Sequence, residues 1–381
     1  MASSLALALC LGACASKPSA PVVNRAATID RKPTPPALEL SFLYGSEKEL
    51  WITDVTNSFN KEQHLTSGGK RIVVKAIPRA SGEALDEILQ GHREADLVSP
   101  ASSVFIELAN RESIHQSGRP LVGESYSVVR SPLVIAMWKP AAEQLGWGKK
   151  SIAWADIQKL ISSETGSGKG SRGEWDRFKF SHTRPQFSSS GLLTLVAEAY
   201  AASGKSGNLT LTDLRNPKVV EFLSAIEKAV PYHGSSTGFY GRLMFVADPY
   251  HVSAAALYEN MVVESYSESG LPHPIVAVYP KEGTLWSDHP IAIVDRDWVT
   301  PERRQAAKIY IDYLLARQQQ QKAVAYGFRP AVAGIPMGSP LDAAHGVDPN
   351  EPTTSLEIPS MPVIEGVLQL WESGKLKHSG M

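Results

Sequence analysis

The sequence predicts an α/β protein of two lobes, each a doubly wound sheet flanked by helices. Short apolar runs alternate with amphipathic helical patterns from residue 38 onward, and this alternation favours mainly parallel sheets. The chain has 381 residues, which is too long for one typical domain. It suits two domains of roughly 150 residues each. Residues 132–138 form a continuous apolar run, which is typical of a strand buried on both faces.

Strand and helix patterns follow one another through the first part of the chain. Residues 38–43 predict a strand, and Ser46-Glu47-Lys48-Glu49 has the form of a capping box that begins a helix. Further strands are predicted at residues 71–77 and 95–98. The segment from Ser99 to Ser103 follows the last of these strands and predicts the start of another helix.

Proline after a capping residue marks two helix starts later in the chain, at Asn216-Pro217 and Thr300-Pro301. The helix that begins at Thr300 is the longest predicted and runs to about residue 325. Residues 253–258 predict a strand with Glu259 at its end, and residues 363–373 predict the last helix.

The N-terminus has the pattern of an exported lipoprotein. A short apolar stretch runs into Leu11-Gly12-Ala13-Cys14, which resembles the lipobox in which the cysteine is acylated. We therefore expect residues 1–14 to be a lipoprotein signal peptide and Cys14 to be the lipidation site. Residues 15–37 are rich in Pro, Ser and Ala and predict a disordered tether to the cell envelope. The segment Met1 to Ser4 departs from the signal pattern because it lacks Lys and Arg.

Composition excludes several partners. The chain has 38 basic and 39 acidic side chains, so it carries no excess charge with which to attract nucleic acid or an anionic membrane surface. No apolar run reaches the roughly 18–20 residues that a transmembrane helix requires. The only cysteines are Cys10 and Cys14, which leaves the body of the chain without disulfides.

No enzymatic motif stands out. Gly166-Ser167-Gly168-Lys169 lacks the glycine spacing of a phosphate-binding loop, so residues 162–173 predict a surface loop. The ten histidines are scattered and none has metal-ligand spacing. We therefore predict no catalytic residues, no cofactor and no metal site. A metal site would require distant histidines to come together in the fold, and four of them could do so: His182, His233, His251 and His289.

Several segments together resemble class II periplasmic solute-binding proteins, in the group that includes the molybdate-type proteins. The segments are Phe42–Ser46, Asp96–Pro100, Ser131–Ala136, Ser151–Ile161, His182–Pro185 with Ser188–Gly191, and Ala256–Glu259. A closer branch, the solute-binding domains found with von Willebrand factor A domains, is suggested by Val278–Thr284, Asp288–Pro290, Gly327–Pro330, Ile358-Pro359 and Trp371.

This resemblance implies a periplasmic binding protein-like II fold whose two lobes are joined by a two-crossing hinge. Lobe one would comprise residues 38–129 plus 288–381, and lobe two residues 130–287. The crossings would lie near Arg130 and near Ser287, and the ligand would sit between the lobes at the carboxyl ends of strands.

The candidate ligand site is built from loops that precede helices. Backbone N–H groups at a helix N-terminus hold anions or polar oxygens, and nearby serine hydroxyls add donors. The resemblance adds Tyr258 as a residue that points into the cleft. The candidate residues are Tyr44, Gly45, Ser46, Ser99, Ser102, Arg184, Ser188, Ser189, Ser190, Tyr258 and Glu259.

Alternative interpretations remain open for several of these residues. The serines could be helix caps alone, with the Ser46 hydroxyl occupied by the amide of Glu49. Arg184 could bind an oxyanion or form a surface or hinge ion pair. Glu259 could meet donors on a ligand or serve a structural role at its helix.

These observations predict an exported, lipid-anchored monomer that captures a small polar or anionic solute and presents it to an ABC importer. The alternative is a sensing or adaptor module that works with a von Willebrand factor A protein, which the segment from Pro340 to Trp371 favours. A third hypothesis, a hydrolase, would require measurable turnover.

Overall fold

The structure is a computed structural model, and it describes residues 36–162 and 178–378. The predicted signal peptide, the lipidation site Cys14, most of the tether and most of the Gly/Ser-rich loop lie outside the described residues. None of the helices in the described ranges is long and apolar enough to cross a membrane.

The described chain alternates strands and helices, as the sequence predicts. The strands are β1 (Ala37–Gly45), β2 (Arg71–Arg79), β3 (Leu97–Ser99), β4 (Val122–Ser127), β5 (Val129–Trp138), β6 (Phe180–Ser181), β7 (Ala254–Tyr258), β8 (Ile275–Val278), β9 (Trp286–Ser287), β10 (Pro290–Val294) and β11 (Arg329–Pro330). The helices are α1 (Glu49–Glu62), α2 (Ser81–Leu89), α3 (Ser103–Ser117), α4 (Lys139–Leu145), α5 (Trp154–Ser162), α6 (Ser189–Ser203), α7 (Leu211–Arg215), α8 (Pro217–Glu227), α9 (Thr237–Val246), α10 (Glu259–Ser265), α11 (Pro301–Leu315), α12 (Arg317–Ala325), α13 (Met361–Glu372) and α14 (Lys375–His378). Short 3-10 helices cover Ser46–Lys48 and Ala343–His345.

The strands form two sheets, which confirms the α/β fold class. The first sheet has the order β2-β1-β3-β10-β4, and β1 is parallel to both β2 and β3. The second sheet has the order β11-β5-β7-β6, with β8 and β9 also paired to β5. The expectation of mainly parallel sheets is wrong for both sheets. In the first sheet β10 pairs antiparallel with β3 and β4. In the second sheet β5 pairs antiparallel with β7, β8, β9 and β11.

Both lobes bury the residues that their patterns predict. The apolar stripe of α1, from Trp51 to Phe59, lies against β1 and α11 in the core of the first lobe. Residues 132–138 of β5 are buried, which confirms the strand buried on both faces. The capping residues Asn216 and Thr300 begin α8 and α11 as predicted, each accepting a hydrogen bond from a first-turn amide.

The helix predicted from Thr300 to about Ala325 is instead two helices, α11 and α12. Ala316 between them has an extended backbone, with ψ of 143°. The buried side chain of Gln320 satisfies one carbonyl at this break, because its Nε2 donates to the carbonyl of Leu314 in α11. The same Nε2 donates to the carbonyl of Val128, between β4 and β5.

The chain passes between the sheets three times. The first two passages, from β4 to β5 and from β9 to β10, lie beside Arg130 and Ser287. The third leads from α12 to β11, where Arg329 pairs with Arg130 of β5. This is one crossing more than the predicted hinge has.

The residues after Phe328, which we assigned to lobe one, lie mainly on the second lobe. Strand β11 joins the second sheet, and α13 and α14 pack against α6, α7 and α8. The predicted boundaries place this segment in lobe one, whereas its apolar residues join the core beside the helices of lobe two. The lobe boundaries stay a prediction.

Candidate functional site

The N-terminal ends of helices from the two lobes meet directly. Ser46, just before α1, donates a hydrogen bond to the Ser236 hydroxyl over 2.9 Å and accepts one from the Gly238 amide over 3.0 Å. The predicted capping box at Ser46 is therefore wrong: its hydroxyl is used by the other lobe and not by the amide of Glu49. Ser46 bonds to Ser236, 190 residues away in the chain, and does not form the local bond that the Ser-x-x-Glu pattern predicts.

A second pair of helix N-termini meets beside the first. The Ser189 hydroxyl donates to the Ser81 hydroxyl over 2.9 Å, and the Gly82 amide donates to the Phe187 carbonyl over 2.8 Å. Ser81 also accepts from the amide of Ala101, which follows β3. We name this contact zone the interlobe seam, defined by Ser46, Ser81, Gly82, Phe187, Ser189, Ser236 and Gly238.

Glycine at the seam permits this close approach. A Cβ atom on Gly238 would lie 2.3 Å from the carbonyl oxygen of Ser46, and one on Gly82 would lie 2.6 Å from that of Gln186. Neither distance is tolerated between a side chain and a fixed backbone. The two lobes therefore touch here only because these positions carry no side chain.

Behind the seam the hydroxyl groups of lobe two bond to one another. Ser190 lies 2.8 Å from the Thr183 hydroxyl and 2.9 Å from the Thr237 hydroxyl, and Ser188 lies 3.1 Å from Thr237. Ser188 precedes α6 but makes no side-chain cap bond to it. Of the serines interpreted as caps, Ser102 does accept a capping bond, from the amide of Val104.

Three charged or titratable side chains are buried at the first-lobe side of the seam. Lys48 Nζ lies 2.7 Å from a Glu47 carboxylate oxygen and 3.3 Å from His289 Nδ1. Although burial opposes its ionisation, the Lys48 charge and the neighbouring imidazole lower the pKa of Glu47 to about 2. Burial and the Lys48 charge lower the pKa of His289, which keeps the imidazole neutral at pH 7.

Nδ1 of His289 has both a donor and an acceptor beside it: Lys48 Nζ at 3.3 Å and a Glu47 carboxylate oxygen at 3.4 Å. The ring proton of the neutral imidazole lies on Nε2 when Nδ1 accepts from Lys48, and on Nδ1 when Nδ1 donates to Glu47. Nε2 is a hydrogen-bond donor in the first tautomer and an acceptor in the second. The backbone at His289 has φ of 39°, a left-handed conformation that is uncommon outside glycine and is often found at functional positions.

Within the described residues, three buried polar atoms at or beside the seam have no hydrogen-bond partner: Ser99 Oγ, Tyr258 Oη and His289 Nε2. The Tyr258 and His289 rings are in edge contact, with centroids 5.4 Å apart. Burial raises the pKa of Tyr258 well above its usual range, and the nearby Ser287 and Ser189 hydroxyls offset this only in part. Both hydroxyls can donate, and His289 Nε2 donates in the first tautomer, so the site offers donors that lack an acceptor.

Three sequence candidates lie elsewhere. Tyr44 packs beside Phe42 in the first-lobe core, with its pKa raised to about 12 mainly by burial. Arg184 is exposed and lines an open pocket of about 620 Å³. Gly45 lies where a Cβ would meet the Glu47 carboxylate at 2.2 Å, so this glycine allows Glu47 to fold back towards Lys48.

The carboxylate of Glu259 is hydrogen-bonded to residues of the same chain. Its two carboxylate oxygens accept a pair of hydrogen bonds from Arg329, each 2.8 Å long, and a third bond from the Tyr279 hydroxyl. Arg329 also donates to backbone carbonyls of Asp348, Pro349 and Glu351. We name the group Glu259, Arg329 and Tyr279 the C-terminal anchor, because it holds the chain beyond β11.

Sequence reasoning missed the charged residues of the site. Glu47 and Lys48 lie inside the segment interpreted as a capping box, and His289 lies in an Asp-His-Pro segment used only for the resemblance. The available signal was a histidine directly before a β strand and next to a predicted hinge crossing. Nothing local in the sequence indicates that a lysine 241 residues away contacts it.

A group with metal-ligand composition lies deeper in lobe two. His182, Glu227 and His233 place one ligand atom each within 4.8 Å of one another. Two of the four histidines considered from the sequence therefore meet in space, together with a glutamate that the sequence did not single out.

Comparisons with known proteins agree with this architecture. The family model described as bacterial extracellular solute-binding protein matches residues 40–329. No curated protein matches the chain.

Solved structures of binding proteins share the fold at low sequence identity. A periplasmic thiamin binding protein has a TM-score of 0.60 and 12% identity, covering 90% of this chain and 98% of that chain. The binding protein AfuA from Actinobacillus pleuropneumoniae, with fructose-6-phosphate bound, has a TM-score of 0.57 and 14% identity over 90% of this chain and 97% of its own. The sulfate-binding protein SubI from Mycobacterium tuberculosis has a TM-score of 0.54 and 15% identity over 79% and 88%.

Proposed function

This chain belongs to the bacterial extracellular solute-binding protein family, and on that premise we propose that it captures a small solute rich in acceptor oxygens between its two lobes. The observation that carries the proposal is a set of three buried polar atoms beside the seam that have no hydrogen-bond partner within the described residues: Ser99 Oγ, Tyr258 Oη and His289 Nε2. A buried donor without an acceptor costs about 1–3 kcal/mol. A solute oxygen would remove that cost at each atom.

The electrostatics of the site favour a neutral or anionic solute with acceptor oxygens over a cation. Lys48 and Glu47 compensate each other, and His289 is neutral. The unpartnered hydroxyls of Ser99 and Tyr258 can both donate to an acceptor on the solute. Sulfate, sugar phosphates and carboxylates all offer the acceptor oxygens that these donors need.

Binding requires the lobes to open and close. Tyr258 and His289 are fully buried, so a solute reaches them only when the seam contacts separate. Each half-site is incomplete alone, since Ser99 and His289 lie on the first sheet's side and Tyr258 on the second. A solute that bridges them stabilises the closed state, which is the population shift that drives closure.

The direct test is a thermal-shift screen with sulfate, phosphate, sugar phosphates, carboxylates and thiamin, since a ligand of the native state raises Tm. Tyr258→Phe should weaken binding of the solute found by about 10–100-fold, the value of a hydrogen bond to a charged partner. Tyr200→Phe is the matched control, because it removes another fully buried tyrosine hydroxyl, about 16 Å along α6 from Ser189. Equal affinities for the two variants would contradict the proposed site.

The family and the N-terminal pattern support two further parts of the proposal. The protein would present its solute to an ABC importer, and Cys14 would carry the lipid that holds it at the membrane. A single acyl chain binds a membrane only marginally, so stable anchoring requires more than one. Cys14→Ala should move the protein from the membrane fraction to the soluble fraction, and an unchanged distribution would contradict the anchor.

One observation favours the alternative, an adaptor that works with a von Willebrand factor A protein. The chain after residue 329 lies beyond the family match, yet it folds over lobe two and is fixed by the C-terminal anchor. A transport protein does not need this addition. Small-angle scattering separates the two functions: a transport protein should become more compact with its solute, whereas an adaptor should not change.

A further inference from the structure

A compact group of metal-ligand side chains in lobe two is not used by the proposed solute site. His182 follows β6, Glu227 ends α8, and His233 lies in the loop between α8 and α9. His182 Nε2 is 2.5 Å from one Glu227 carboxylate oxygen, and His233 Nε2 is 3.2 Å from the other. Ligand atoms bound to a tetrahedral zinc ion lie roughly 3.3–3.6 Å apart, so small side-chain shifts would suffice.

The surroundings hold these side chains in the orientation that a metal needs. Nδ1 of His182 lies 2.7 Å from the Thr183 carbonyl, which only accepts, so Nδ1 carries a proton and Nε2 faces Glu227. Histidine ligands of metals usually donate their other N–H to a carbonyl or carboxylate in this way. The Trp371 indole N–H, from the C-terminal segment, donates to a Glu227 oxygen over 3.2 Å and fixes the carboxylate in the same manner.

A further buried carboxyl group lies near Glu227. Glu198 on α6 is fully buried, and within the described residues neither of its carboxyl oxygens has a hydrogen-bond partner. A divalent ion between the histidines would place positive charge close to this carboxyl group.

We propose that His182, Glu227 and His233 bind one divalent first-row transition metal ion, for which Zn²⁺ is the probe. Two imidazoles and one carboxylate suit such ions, while they are poor ligands for Ca²⁺ or Mg²⁺. His233 is the partly exposed member and lines the open pocket of about 620 Å³ that also contains Arg184 and Tyr232, which gives the ion a path from solvent. The ion would join β6, α8 and, through Trp371, the C-terminal segment.

Binding should release a proton, because the short contact between His182 and Glu227 requires a proton between the two atoms. Titration calorimetry of the metal-free protein with Zn²⁺ should give one site per chain. Its apparent enthalpy should vary with the ionisation enthalpy of the buffer. Co²⁺ in place of Zn²⁺ should show the visible absorption of a low-symmetry site with nitrogen and oxygen ligands.

Variants separate this site from adventitious binding to surface histidines. Glu227→Gln keeps the side-chain shape and should weaken Zn²⁺ binding at least 100-fold, and Trp371→Phe should weaken it about 10–100-fold by freeing the carboxylate. His251→Ala is the control, since His251 is exposed and bonds only to Asp248 among the contacts seen. If Glu227→Gln does not fold, His233→Ala replaces it. Absence of a 1:1 site, or equal affinity in parent and variants, would overturn the proposal.

Discussion

Two neighbouring residues, Tyr258 and Glu259, belong to two regions that treat buried polar groups in opposite ways. At the C-terminal anchor, both Glu259 oxygens are engaged by Arg329 and Tyr279. Beside the interlobe seam, the Tyr258 hydroxyl is equally buried but has no partner among the described residues. Both residues were candidates for the same ligand site on sequence grounds.

The difference separates structural polar groups from functional ones. A buried group whose hydrogen bonds are all made within the chain gains nothing from a ligand and loses much when its partner is removed. A buried group with an unused bond costs the fold free energy that a ligand can recover. Burial and polarity alone therefore do not identify a binding residue, whereas unused hydrogen-bonding capacity does.

The largest effect should come from breaking the C-terminal anchor. Glu259→Gln leaves the buried Arg329 guanidinium without its counter-charge, and we expect the free energy of unfolding to fall by about 3–5 kcal/mol. Urea unfolding measures this. Asp54→Asn is the control, because Asp54 and Lys322 form a partly exposed pair that contributes at most about 1 kcal/mol. Similar losses of stability in both variants would show that the C-terminal anchor contributes no more than a partly exposed ion pair.

The pairing of Glu47 with Lys48 should make the free energy of unfolding depend on pH in the acid range. The pKa of Glu47 is lowered from its usual 4.5 to about 2, so its ionised form contributes stability above pH 4.5 that is lost as the pH falls towards 2. This difference corresponds to roughly 3 kcal/mol. The stability gap between the parent protein and Glu47→Gln should be largest near neutral pH and should close over this range. A gap that does not change with pH would contradict the pairing of Glu47 with Lys48.

Closure of the seam can be opposed without touching a polar group. Gly238→Ala places a methyl group against the Ser46 carbonyl, and overpacking of this kind costs about 1–3 kcal/mol. Since the cost falls on the closed state alone, solute affinity should drop about 5–150-fold while helix α9 gains up to about 1 kcal/mol from alanine.

Small-angle scattering should show the Gly238→Ala protein more open than the parent. The control is Gly123→Ala, because a Cβ at Gly123 in β4 meets no atom within 4 Å. A Gly238→Ala protein with parental affinity and radius of gyration would mean that the seam does not close on the solute.

The smallest effect on stability should belong to the residue with the largest proposed role in binding. Tyr258→Phe removes a hydroxyl that has no partner, so without solute the free energy of unfolding should stay within about 0.5 kcal/mol of the parent or rise slightly. Thermal and urea unfolding of the solute-free protein measure this. A loss above about 2 kcal/mol would show that the hydroxyl has a structural partner.

Much of the fold follows from local patterns in the sequence. Apolar periodicity predicted the core faces of α1 and β5, and capping residues predicted the starts of α8 and α11, because burial and first-turn bonding act over a few residues. The break at Ala316 was not predictable, since the side chain that satisfies a carbonyl there, Gln320, also bonds to Val128 between β4 and β5.

The site was predictable only in part. Sequence reasoning identified the serine-rich helix starts, and Ser46 and Ser189 do lie at the seam, but it assigned Ser46 to a local cap. Lys48 and His289 depend on contacts between residues far apart in the chain, and no spacing rule expresses such contacts. Glu259 looked like a ligand residue because its partner Arg329 lies 70 positions away.

The three crossings between the sheets have a mechanical consequence. Strands β9 and β11 are both hydrogen-bonded to β5 beside the crossings, so we expect bending in the residues next to these three strands. His289 is one of those residues, directly before β10 and with a left-handed backbone. The imidazole proposed to hold the solute therefore lies at the hinge about which the lobes rotate. Solute release and lobe opening should share a single rate constant, and stopped-flow fluorescence that found two would separate them.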